Sequence, residues 1–171
     1  SCFDQACSDQ FKSMGCGFSE VKNLSHANEM IASYISAGSD ELEVALLLKV
    51  PRLLLAQTMP VIDEQSIADI RYQEDWNSEL VNRFLGRLKN MLLTYGCRLS
   101  VGLPEVLTDT DLNHYKHAFD GIVRLFEVSS DITCSVVECY LNITILNESL
   151  SLSMDADAPL DQSSDGGLTF L

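Results

Sequence analysis

The chain is poor in basic residues and prolines and has no long apolar run, and each shortage removes a class of function. Eleven Lys and Arg stand against 25 Asp and Glu, a net charge of −14 at pH 7. A chain this acidic is repelled by nucleic-acid backbones and by anionic lipid surfaces, so neither is an expected partner. No stretch approaches the roughly 20 apolar residues needed to cross a bilayer. The opening Ser1-Cys2-Phe3-Asp4 lacks the basic and apolar regions of a signal peptide. Cys-x-x-Cys is missing, which leaves zinc and thioredoxin-like chemistry without its spacing. No P-loop, G-x-G-x-x-G or G-x-S-x-G occurs either. His114-x-x-His117 has no Cys or acidic residue at a spacing that completes a metal site, and both histidines are read as solvated loop residues. The six cysteines are spread over apolar positions of a chain long enough to fold without staples. They are read as reduced thiols, and the chain as cytoplasmic.

What the chain does have is apolar periodicity, enough for a single domain with a sizeable core. Phe3, Cys7, Phe11 and Met14 recur at helical spacing, with Gly15 as a stop. Residues 16–24 follow as a strand of poor alternation. Residues 29–37 and 42–50 flank Gly38-Ser39-Asp40 and read as a β-hairpin. Its second arm, Val44-Ala45-Leu46-Leu47-Leu48, is apolar on both sides and belongs mid-sheet. Pro51 suits the first turn of a brief helix that Pro60 ends. An acidic loop is expected over 61–74, a strand over 97–103 and a polar excursion over 105–117. Residues 118–128 and 132–146 make a long β-hairpin, and alternation at Leu150, Leu152 and Met154 allows an extra edge strand. From residue 155 onward Asp, Ser, Gly and Pro dominate. That predicts a domain over 1–154 and a flexible acidic tail over 155–171. The predicted fold class is α+β, an antiparallel sheet with helices packed mainly on one face.

The stretch from Asp75 to Tyr95 reads as one long amphipathic helix. Leu80, Phe84, Leu88, Met91 and Tyr95, with Val81, Leu85 and Leu92 beside them, cover one arc. Asp75, Glu79, Asn82 and Gly86 fall on the opposite arc as a polar stripe. A mid-helix glycine costs about 1 kcal/mol relative to alanine. At Gly86 that cost is explained if a partner approaches the helix closely beside Glu79 and Asn82.

Asp75-x-x-x-Glu79-x-x-Asn82, followed by Gly86 and then by Leu99-Ser100-Val101-Gly102-Leu103-Pro104, resembles the CheX/CheC/FliY family of chemotaxis phosphatases. The likeness is to CheX, which carries one such motif, since no second E-x-x-N follows a comparable helical pattern. The resemblance implies a CheC-like fold, a homodimer formed by pairing sheets, and hydrolysis of the aspartyl phosphate on a CheY-like response-regulator receiver domain. It implies Glu79 and Asn82 as catalytic residues, with Asp75, Arg83 and Gly86 as partner contacts. Magnesium is expected on the receiver, with no cofactor bound by this chain. The alternative is a non-catalytic module that docks on a receiver or another signalling partner. The chain departs from the family pattern after Pro104, where Leu107-Thr108-Asp109 stands in place of a glycine.

Overall fold

In the structure, a computed structural model, residues 1–21, 29–60, 69–115, 121–130 and 134–147 are described. Helix α1 spans Cys2–Lys12, α2 Arg52–Thr58, α3 Ile70–Leu93 and α4 Asp109–Tyr115. The strands are β1 Gly17–Val21, β2 Met30–Gly38, β3 Leu42–Pro51, β4 Ser100–Val101, β5 Glu105–Leu107, β6 Ile122–Ser129 and β7 Cys134–Ile145. They form one antiparallel sheet in the order β1-β6-β7-β3-β2-β4, with β5 also paired to β2.

Both long helices end the same way. Gly15 and Gly96 take positive φ values of 77° and 81°. In α1, Gly15 N donates to Lys12 O and Cys16 N to Phe11 O; in α3, Gly96 N donates to Leu93 O and Cys97 N to Leu92 O. Each pair of bonds satisfies carbonyls that the helix leaves open, and only glycine takes the left-handed turn without strain.

The amphipathic reading of α3 holds. Leu80, Val81, Phe84, Leu85 and Leu88 are buried against Ile35, Val44, Leu46 and Leu48 of the sheet. Phe3 of α1 stacks on Phe84 with ring centroids 5.4 Å apart. Helices α1, α2 and α3 share this one core. The apolar arm of β3 is buried on both faces, as expected mid-sheet: Leu46 and Leu48 meet the helices, while Leu47 joins Ala32 and Leu107 on the other side. Tyr115 of α4 lies over Tyr34 there, at a centroid distance of 5.0 Å.

The elements depart from expectation in three places. Helix α3 begins at Ile70, inside the expected loop, because Asp69 caps it by accepting from Arg71 N at 2.9 Å. The strand expected over 97–103 shrinks to Ser100–Val101, since Cys97 is committed to the helix end and is buried with Leu99 in the core. The polar excursion holds β5 and α4. A reciprocal cap starts α4, with Asp111 N donating to Thr108 Oγ1 at 3.3 Å and Thr108 N to Asp111 Oδ2 at 2.9 Å. The expected edge strand over 150–154, the tail over 155–171 and His117 lie outside the described residues. No helix among those described is long and apolar enough to cross a membrane.

Candidate functional site

A 24-residue helix clamped to a sheet is a rigid platform, and its outer arc carries the polar stripe. Asp75 and Asn82 are exposed, and Glu79 and Gly86 are half-buried. Glu79 and Asn82, three residues apart, are neighbours on one face. The Asn82 carboxamide takes no hydrogen bond from any described residue, so both its donor and its acceptor remain available. A methyl group built on Gly86 would meet nothing within 4 Å. No packing against the described residues accounts for the glycine.

Glu79 is held. Arg83 Nε donates to Glu79 Oε1 at 2.5 Å, an i,i+4 ion pair on the helix surface. The same guanidinium lies 5.3 Å from the centre of the Trp76 ring. Arg83 is therefore placed beside Glu79, and Asp75, Glu79, Asn82, Arg83 and Gly86 lie together on the outward half of α3.

Two residues that bear on this surface escaped the sequence reading. Asn77 is fully buried, and its Nδ2 donates to Ile31 O at 3.1 Å, Ser33 Oγ at 2.9 Å and Leu48 O at 3.4 Å. Its Oδ1 has no partner among the described residues. One amide thus ties α3 to β2 and β3 directly beneath the stripe. The signal was available, since a polar residue three, four and seven positions before Leu80, Val81 and Phe84 sits in the middle of the apolar arc. Trp76 is the second: it is 9 % exposed, and its Nε1 donates to Thr58 Oγ1 on α2 at 3.2 Å. Next along the helix, Ser78 Oγ lies 3.5 Å from Ser33 Oγ, on the side facing the β4/β5 edge.

The Leu99–Pro104 segment flanks that edge. Gly102 N donates to Ser36 O at 2.8 Å, and a Cβ at Gly102 would stand 3.2 Å from that oxygen. The glycine lets the segment lie close against β2, and Leu103 projects beyond it, 86 % exposed. Among the described residues, no group of three or more His, Cys, Asp and Glu side chains is placed to hold a metal ion.

The fold is that of the CheX, CheC-like and FliY chemotaxis proteins. The CheX in a CheX–CheY–BeF3–Mg complex from Borrelia burgdorferi is 12 % identical and superposes with a TM-score of 0.59, over 83 % of this chain and 95 % of that one. A putative chemotaxis protein from Desulfovibrio vulgaris Hildenborough gives 14 % identity, a TM-score of 0.59, and coverage of 84 % and 94 %. FliY from Thermotoga maritima gives 16 %, 0.50, and coverage of 81 % and 83 %. No family model matches the sequence, and no curated protein matches it.

Proposed function

We propose that the chain is a chemotaxis-type phosphatase that hydrolyses the aspartyl phosphate of a response-regulator receiver domain. The observation that carries this reading is the exposed, unengaged carboxamide of Asn82 next to Glu79 on the outward face of a rigid helix. An acyl phosphate is already reactive, and its hydrolysis depends mainly on placing a water in line with the bond that breaks. A carboxamide suits that task because it offers one water both an acceptor and a donor. Asn82 enters the receiver's active site and orients the water. Glu79 pairs with a receiver lysine and sets the register. Asp75 is a peripheral contact, and the space over Gly86 admits the receiver surface.

The shared fold supports this reading, as does the Borrelia burgdorferi CheX, which forms a complex with CheY. Magnesium belongs to the receiver in this scheme, and no step draws on a metal held by this chain. The reading carries with it a homodimer and a cytoplasmic setting.

A second reading is a receiver-docking module without turnover. One feature favours it: the segment after Pro104, which departs from the family pattern, forms β5 and leads into α4. A phosphate-release assay with a panel of phosphorylated receivers from the same genome separates the two. Faster release from one or a few receivers supports the phosphatase. Binding without acceleration for every receiver overturns it in favour of the docking module.

A further inference from the structure

The acid assigned to the receiver's lysine already has a cation of its own. Arg83 bonds to Glu79 through Nε, and its guanidinium is seated on Trp76. Trp76 is fixed in turn, since its Nε1 donates to Thr58 Oγ1 and Thr58 Oγ1 donates to Leu54 O at 2.8 Å. A line of contacts therefore runs from α2 through Trp76 and Arg83 to Glu79. An exposed i,i+4 ion pair is weak because both long side chains roam. An indole beneath the guanidinium takes away much of that freedom and adds a cation–π attraction. The two Nη groups of Arg83 make no hydrogen bond with any described residue.

We infer that Arg83 is a specificity-determining residue, which turns the docking surface into a fixed carboxylate–guanidinium pair and selects a receiver presenting a carboxylate beside its lysine. The inference rests on the reading that the outer face of α3 docks a receiver. A lysine arriving alone at Glu79 meets a second cation at the same carboxylate, and it desolvates the Nη donors without supplying an acceptor. Both are costs against that partner. A receiver with an acid next to its lysine removes both: the lysine takes the free Glu79 Oε2 and the acid takes the guanidinium fork. The local charge permits this. The chain carries −14 overall, yet α3 has four cations, Arg71, Arg83, Arg87 and Lys89, against three acids, Glu74, Asp75 and Glu79.

The test compares the parent with Arg83→Met, which keeps an unbranched apolar stem over Trp76 and deletes the charge. Affinities for a panel of magnesium- and beryllofluoride-loaded receivers are measured by calorimetry. The parent is expected to prefer receivers carrying the carboxylate. Arg83→Met should bind the preferred receiver about tenfold more weakly and discriminate less across the panel. Deleting the receiver's carboxylate should weaken the parent by a similar factor and leave Arg83→Met nearly unchanged. In phosphate release, the loss should appear in KM more than in kcat. Unchanged or tighter binding by Arg83→Met overturns the inference, because Arg83 then only competes for Glu79. Independent effects of the two substitutions overturn it as well. A parent that binds no receiver at all is a different failure, which removes the receiver reading and this inference with it.

Discussion

Asn82 is exposed and its side chain makes no hydrogen bond with any described residue, so its loss should be felt in chemistry and not in folding. Asn82→Ala is expected to keep the fold, with stability unchanged or raised by up to about 0.7 kcal/mol because alanine is the better helix former. Dephosphorylation of the preferred receiver should slow by about 10²–10³-fold, the scale for losing one placed polar contact in a transition state. Affinity for the phosphorylated receiver should change far less, since a positioned water matters mainly at the transition state. Asn82→Gln keeps the amide and moves it by one methylene, so it measures the cost of misplacement alone. Equal dephosphorylation rates for Asn82→Ala and parent would remove the residue from the mechanism. Glu79→Ala should do the reverse and weaken the complex, since its partner is a charged group already present in the ground state. Titration of each variant against phosphorylated receiver, with turnover measured in parallel, distinguishes the two roles.

At the scale of the element, α3 works as a platform only while it stays fixed on the sheet. Leu88 is 3 % exposed in the shared core, so Leu88→Ala should cost about 2–5 kcal/mol in chemical denaturation. An unchanged midpoint would mean that the helix is rotated from the position described. Asn77 is the polar counterpart. Asn77→Leu removes the donor but fills the space, and the strand carbonyls it served keep their ladder partners, so about 1–3 kcal/mol is expected. Asn77→Asp is the sharper change, because a carboxylate replaces a donor among three acceptors in a dry core. Burial raises the folded-state pKa of the new carboxyl above the roughly 3.9 of an unfolded chain. Its cost is therefore least below that pH, where the protonated group still donates one bond. It grows by about 1.4 kcal/mol per pH unit above it, until the folded-state pKa is passed. Denaturation of parent and variant at several pH values should show this widening gap; a constant gap would contradict the burial of residue 77.

At the scale of the whole molecule, the sheet ends in β1 on one side and in β4 and β5 on the other, and the helices of the main core leave its second face to α4 and a small aromatic cluster. The proposed homodimer predicts a species of twice the 18.9 kDa chain mass in sedimentation velocity, persisting on dilution. A single species of one chain mass at micromolar concentration would remove the dimer from the reading. Much of this architecture was legible beforehand. The β2–β3 hairpin, the buried β3, the long helix and the β6–β7 pair all announced themselves through runs long enough to show a period. Strands of two and three residues show none. Leu107 is a core residue only because β5 lies against Ala32 of a distant strand.

By itself the sequence determined the α+β class, the rotation of α3 and the grouping of Asp75, Glu79, Asn82 and Gly86 on one arc. The reason is geometric: side-chain direction repeats every 3.6 residues in a helix and every two in a strand, so a local pattern already says which side is wet. Tertiary structure alone decided that Asn77 is a buried tie to two strands, that Trp76, on which Arg83 sits, is anchored to α2, and that the segment after Pro104 closes the sheet edge. Each of these depends on a group brought in from elsewhere in the chain: the Ile31 and Leu48 carbonyls, the Thr58 hydroxyl, the β2 edge. Spacing along one helix cannot encode a partner that arrives only when the chain has folded.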